Sequence, residues 1–137
     1  MKLLDEVKKI VESYNTMVIV PEQYKNVYEF ARNEDEKADE SFGDFEINDS
    51  YLFDKYQKQI PKGWYGFNIG HPTPKNWFIV IDKVLEFLID KDPDLEIHQI
   101  KMKFGGIRFY VESKAIEDIW EIIIYIENTL FDRKLVY

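Results

Sequence analysis

Apolar side chains recur along this chain with two different periods, and the switch between them outlines the elements. Over residues 2–14, Leu3, Val7, Ile10 and Tyr14 fall on one stripe, flanked by Leu4 and Val11. Lys2, Asp5, Glu6, Lys8, Lys9 and Glu12 lie elsewhere. Such a 3.6-residue repeat predicts an amphipathic helix. "TMVIV" (16–20) is short, β-branched and stopped by Pro21, the pattern of a strand or buried connector. Proline suits the first turn of a helix, so a second helix is expected over 21–32, lined by Tyr24, Val27, Tyr28 and Ala31. "FEI" (45–47) reads as a brief strand, and "SYLFDKYQKQI" (50–60) as a short helix ended by Pro61 and Gly63.

"GWYGFNIGHPTPKNW" (63–77) is dense in Gly, Pro and aromatic residues, which predicts a structured loop with a short strand over 64–69. Asn76 is the expected N-cap of a helix from Trp77 to about Asp90, with Trp77, Val80, Ile81, Val84, Leu85 and Leu88 as its stripe. A last helix is expected from Lys114 to about Arg133, capped by Ser113. Ile116, Ile119, Trp120, Ile123, Ile126 and Leu130 form one face of it. Ile122, Ile124, Tyr125 and Phe131 spill around that face, so this helix is either deeply buried or also meets a partner, for which a second copy of the chain qualifies.

Between those two helices the period drops to two. "LEIHQIKMKF", the pair Gly105-Gly106 and "IRFYVE" predict a β-hairpin, because a tight I′ turn needs positive φ at both central residues. With both glycines in the turn, the pairs are Phe104–Ile107, Lys103–Arg108, Met102–Phe109, Lys101–Tyr110 and Ile100–Val111. Opposed residues share a face. One face is then Ile100, Met102, Phe104, Ile107, Phe109 and Val111, and the other is Lys101, Lys103, Arg108 and Tyr110. His98 falls on the apolar side by the same alternation. The elements together predict one α+β domain over 1–137: a small antiparallel sheet with a Gly-Gly hairpin, and helices packed on one face.

Lys103 opposite Arg108 would be a like-charge pair, destabilising by roughly 0.2–1 kcal/mol. It is answered either by a nearby carboxylate or solvent, or by an anionic ligand or a partner's acidic surface. Arg108 beside two lysines suits a carboxylate or phosphate, arginine supplying the directional contact, and Tyr110 adds a stacking or hydrogen-bonding group.

"GWYGFNIG" (63–70), a helix downstream of it and "IKMKFGGIRFYV" (100–111) together resemble a family of uncharacterised small phage and prophage proteins. Its members carry a glycine-tryptophan loop followed by a K-x-K-F-G-G-(L/I)-R-F-Y hairpin. The match covers about residues 61–131. The resemblance implies an origin in a mobile element more than an activity. Many members end in a metal-binding-like cysteine pair, which this chain, ending "FDRKLVY" with no cysteine, does not have.

Composition adds three constraints. The 137 residues are 45% hydrophobic and 16% aromatic, which is a folded domain's composition. The absence of cysteine excludes disulfides and thiolate zinc sites and agrees with a cytoplasmic protein. No apolar run is long enough to span a membrane, and "MKLLDEVKKI" is too charged for a signal peptide.

The formal net charge is -8, and it is concentrated. Between Asn33 and Asp49 eight acids (Glu34, Asp35, Glu36, Asp39, Glu40, Asp44, Glu46, Asp49) meet one base, Lys37. That sums to -7 and leaves -1 for the remaining 120 residues. Phosphates would be repelled, so direct nucleic-acid binding is not expected, whereas a protein with a basic surface is a fitting partner. Glu34, Asp35, Glu36, Asp39, Glu40 and Asp44 are the candidate partner-binding residues. Their spacing is not that of an EF-hand, and a solvated charge run is expected over a metal site.

Catalytic constellations are thin, and no catalytic residue, metal or cofactor is assigned. His71 and His98 are the two histidines. No nucleophile elbow, phosphate loop or H-E-x-x-H occurs. Trp64, Tyr65, His71 and Trp77 are the candidate lining of a loop pocket. The resulting expectation is a non-catalytic, acidic interaction module of phage origin, an inhibitor of a host defence nuclease complex with an anti-CRISPR-like role. An immunity protein against a toxin nuclease would use the same physics. The alternative of another class is a small anion-binding protein or enzyme using Lys101, Lys103, Arg108 and Tyr110.

Overall fold

A computed structural model describes residues 2–14, 16, 46–70 and 73–132. Among them are four helices and one three-stranded sheet, an α+β fold. The order is α1 (Leu4–Glu12), α2 (Asp49–Lys55), β1 (Gly66–Asn68), α3 (Lys75–Lys91), β2 (Glu96–Lys103), β3 (Gly106–Glu112) and α4 (Ile119–Thr129). No described helix is long and apolar enough to cross a membrane.

The sheet is mixed, not antiparallel throughout. Its order is β1-β2-β3, with β1 parallel to β2 and β3 antiparallel to it. The parallel pairing follows from connectivity, since β1 reaches β2 through α3 and a helical crossover returns the chain in the same direction. Phe67, Ile97, Ile100, Ile107, Phe109 and Val111 point from the three strands into one core. They meet Trp77, Val80, Ile81, Val84, Leu85 and Leu88 of α3, Ile122, Ile123 and Ile126 of α4, and Val7 and Val11 of α1.

Several expected boundaries move. The 17–45 segment, with most of the expected strand 16–20, all of the helix 21–32 and the bulk of the acidic run, lies outside the described residues. Glu46–Asn48 are bends, not a strand. Asn48 instead caps α2, its Oδ1 accepting the Tyr51 N–H at 2.9 Å. The helix expected over 50–60 stops at Lys55 and continues as a 3-10 turn over Gln57–Gln59.

α3 starts two residues before Trp77. Pro74, already near helical φ at -61°, takes the N-cap position, and Asn76 falls inside the first turn. α4 begins at Ile119, not Lys114, because Ser113 is engaged in a turn of its own. Its Oγ accepts the Ile116 N–H and donates to the buried Asp92 carboxylate. Starting later, α4 buries Ile122, Ile123 and Ile126 and turns Trp120 outward, 71% exposed, against the expected inward stripe.

The N-terminus of α1 is capped from across the molecule. Asp118, 3% exposed at the start of α4, accepts the Leu3 N–H at 2.8 and 3.0 Å and the Leu4 N–H at 2.7 Å. Leu3, in the N-cap position, has no side chain able to do this. One carboxylate thereby ties the first helix to the last. The outer edge of β3 is also covered: Ile107 N–H donates to the Leu130 carbonyl, Phe109 N–H to Glu127 Oε2, and Asp132 N–H to the Gly105 carbonyl. These contacts blunt an edge that would otherwise present a row of free backbone groups.

Candidate functional site

The outer face of the sheet, turned away from the core, gathers the predicted cationic group of Lys101, Arg108 and Tyr110, and its geometry is set by two local features of the hairpin. The first is the turn. Lys103 pairs with Gly106, Met102 with Ile107, Lys101 with Arg108 and Ile100 with Phe109. The turn residues are therefore Phe104 and Gly105, at φ 52° and 80°, one position earlier than the Gly-Gly reading. Gly106 serves a different need: a Cβ there would stand 2.7 Å from the Phe131 ring, which lies against it. Phe104 is held in the left-handed region, which a side chain of this kind rarely adopts, and is 60% exposed at the tip.

The shift corrects every expected pair but leaves the faces intact, because moving the turn centre by one residue changes each partner by two. Ile100, Met102, Ile107 and Phe109 still face the core side, and Lys101, Arg108 and Tyr110 the outer side. The like-charge pair is Lys101–Arg108, not Lys103–Arg108. Asn68 of β1 lies beside Lys101 in the next strand. The Lys101 ammonium sits 6.0 Å from the centre of the Tyr110 ring, and Lys103 lies 5.5 Å from that of Phe104. Among the described residues, no carboxylate lies within ion-pair distance of Lys101, Lys103 or Arg108.

The second feature is a bulge. The ladder steps from Ile97–Val111 to Gln99–Tyr110, so His98 is an extra residue on β2. Without it, Ile97 would face outward opposite Glu112 and His98 would enter the core. With it, Ile97 is fully buried and His98 joins Glu96 and Glu112 on the outer face, a correction to its expected inward placement. His98 Nε2 lies 3.0 Å from Glu96 Oε1 and 3.9 Å from Glu112 Oε2. The indole of Trp64 stacks on the imidazole, with centroids 4.3 Å apart and planes within 7°. Glu96, His98 and Glu112 offer donor atoms within 4.8 Å of one another and form the group among the described residues able to hold a metal ion.

A separate charged cluster lies where α2 meets α3. Asp82, 2% exposed, accepts the Tyr56 hydroxyl at 2.6 Å and the Lys55 ammonium at 2.8 Å, and Lys55 reaches Glu86 at 2.7 Å. Burial first, then the hydrogen bond to Asp82, pushes the Tyr56 hydroxyl far above its usual range. Burial acts to lower the Lys55 pKa, but the hydrogen bonds and charges of Asp82 and Glu86 outweigh it and raise the value. Glu86 is held below its ordinary value chiefly by its hydrogen bond from Lys55. These three groups keep fixed charge states at neutral pH and lock α2 onto α3, so their role is structural.

The described members of the expected loop-pocket lining have separate surroundings. Trp77 is buried in α3, its indole N–H donating to the Thr16 carbonyl at 2.9 Å, while Tyr65 is 70% exposed and Trp64 is committed to His98. Helical periodicity placed Trp77 in the core stripe, and that demand prevails over the loop. His71 lies outside the described residues, as do Glu34, Asp35, Glu36, Asp39, Glu40 and Asp44. Of the acidic run, Asp49 is used internally: its carboxylate accepts the Ile69 and Gly70 N–H groups at 2.9 and 2.8 Å.

The Glu96–His98–Glu112 group was missed because strict alternation sends His98 inward. The available signal was the spacing of Ile97 and Ile100, three residues apart, which a regular strand cannot bury together. Compared with protein-family models, with curated proteins and with solved structures, the chain matches none.

Proposed function

We propose that this chain is a protein-interaction module of phage or other mobile-element origin that works through charge. It offers its acid-rich segment to a basic, nucleic-acid-binding surface of a host defence complex, an anti-CRISPR-like inhibitor. The observation that carries this reading is the charge partition, -7 over residues 33–49 against -1 over the rest. The folded body adds support, because it consumes its own buried acids. Asp82, Asp92 and Asp118 all accept internal hydrogen bonds, as does Glu127 nearer the surface. The surplus negative charge of segment 33–49 would steer encounter with a positive partner and weaken with salt.

The test is affinity capture from host lysate at low and high salt, with recovered proteins identified by mass spectrometry and then rebound as pure components. The reading expects a nucleic-acid-binding protein that duplex DNA displaces. It also expects joint replacement of Glu34, Asp35, Glu36, Asp39 and Glu40 by their amides to abolish capture. A partner that stays bound to that variant would exclude charge mimicry.

A second reading has its own observation. Lys101 and Arg108 are opposed on the outer face with Tyr110 beside them and no ion-pair partner among the described residues. On this reading the outer face binds an anion, a carboxylate or phosphate of a ligand or partner. Replacing Lys101 and Arg108 by Gln would remove binding, while the amide variants of 34–40 would leave it unchanged.

A further inference from the structure

We propose that Glu96, His98 and Glu112 form a binding site for a divalent zinc-type cation on the outer face of the hairpin. Glu96 and Glu112 are direct partners in the ladder, so two carboxylates face each other across β2 and β3. The bulge inserts His98 between them with Nε2 turned to both, 3.0 Å from Glu96 Oε1 and 3.9 Å from Glu112 Oε2. Ligands bound at about 2.0–2.2 Å around a tetrahedral ion stand roughly 3.3–3.6 Å apart. The two separations from His98 straddle that value and all three donor atoms lie within 4.8 Å of one another, so closure on an ion calls for the exposed carboxylates to draw in.

The donor set fixes the class of ion. Two carboxylates neutralise a dication, and the imidazole nitrogen favours zinc, copper or nickel over the all-oxygen preference of magnesium and calcium. Trp64 supplies the outer support: its indole, stacked at 4.3 Å and 7°, holds the imidazole plane in position. The His98 side chain is largely covered, while those of Glu96 and Glu112 are open to solvent, so an ion enters from one side. Three protein ligands leave at least one coordination position for water or for a group from a binding partner. The site rests on the geometry of the hairpin and is independent of the charge-mimicry reading.

The experiment is a Zn²⁺ titration of the full chain labelled with ¹⁵N, read at the imidazole nitrogens, with affinities from calorimetry. His71, the second histidine, is the internal control. Expected is a saturable shift of His98 Nε2 at one equivalent, retained in H71Q and not reproduced by Mg²⁺. E96Q and E112Q should each weaken zinc at least about tenfold, and H98Q more than either. Glu112 is exposed enough that its replacement leaves the fold intact, and far-UV circular dichroism checks H98Q. Zinc binding to H98Q with wild-type affinity would overturn the proposal. So would a shift confined to His71, or unchanged affinity in both glutamine variants, which would mark a lone-histidine contact.

Discussion

The two sides of the sheet treat charge in opposite ways. On the core side and in the layers behind it, each buried acid is answered. Asp118 takes three hydrogen bonds from the α1 N-terminus, Asp82 meets Tyr56 and Lys55, and Asp92 meets Ser113. On the outer face, like charges are set directly opposite each other twice: Glu96 against Glu112 at one end of the hairpin, Lys101 against Arg108 toward the other. Nor do the two outer pairs compensate one another. Glu112 and Arg108 are four steps apart along the strand, about 13 Å, beyond the ~8 Å screening length at physiological salt. Folding explains the inner arrangement, because an unanswered buried charge is expensive. It does not explain the outer one, where charges could be interspersed at no cost to the core. That difference is the reason for seeking function on the outer face.

The comparison predicts that inner charges dominate stability. Asp118→Ala should have the largest effect, about 2–4 kcal/mol, since it strips the cap from α1 and leaves two backbone donors unanswered. Urea unfolding followed by circular dichroism measures it. A loss below about 1 kcal/mol would mean that water replaces the carboxylate and that the inner side is less closed than its burial implies.

Next in size is the α2–α3 cluster. Asp82→Ala should cost about 2 kcal/mol, by leaving the Tyr56 hydroxyl only the backbone carbonyl of residue 82, 2.9 Å away, and Lys55 with Glu86 alone. The same cluster sets a pH dependence. Tyr56 and Lys55 both have pKa values raised in the folded chain. Their contribution is therefore complete below the unfolded values of about 10 and is lost as pH rises through the folded ones. Glu86 is lowered, so its contribution is present above about pH 4 and lost as pH falls through its folded value. Thermal unfolding from pH 7 to 11 should show stability falling on the alkaline side, with a shallower fall in Tyr56→Phe. An identical alkaline slope in that variant would remove Tyr56 from the account.

How far these arrangements could be read in advance depended on whether local pattern or long-range contact decides them. The helices 2–14 and 77–90, the hairpin and its two faces follow from periodicity, because burying an apolar stripe leaves one solution for each segment. Partner choice within the hairpin does not follow. Phe104-Gly105 and Gly105-Gly106 are both possible turns, and they differ by two in partner numbering, which leaves every side chain on its own face. Only the seating of the Phe131 ring on Gly106 separates them, and that contact comes from beyond the hairpin. The bulge was written in the three-residue gap between Ile97 and Ile100, but it is visible only if alternation is allowed to break. Asp118 is a different case: nothing near it in sequence marks it as the cap of a helix at the other end of the chain.

On the outer face the expected effects are smaller and of the opposite sign. Phe104→Asn places at the first turn position a residue that accepts positive φ, and should stabilise the hairpin by about 0.5–1 kcal/mol. Denaturant midpoints measure the gain. If stability falls instead, the exposed ring makes contacts that outweigh its backbone strain.

The smallest expected change bears most directly on the comparison. Arg108→Glu turns the Lys101–Arg108 pair into an opposite-charge pair and should stabilise the sheet by roughly 0.2–1 kcal/mol. The predicted sign is what matters, because a surface residue whose replacement improves the fold is retained for some reason other than folding. The gain should shrink as salt is raised, since both side chains are solvent-facing and screened. If Arg108→Glu is instead destabilising at low salt, then Arg108 already has a carboxylate partner within the chain, and the cationic outer face belongs to the architecture. A measured gain would leave the arginine without a structural purpose and make its partner the next thing to find.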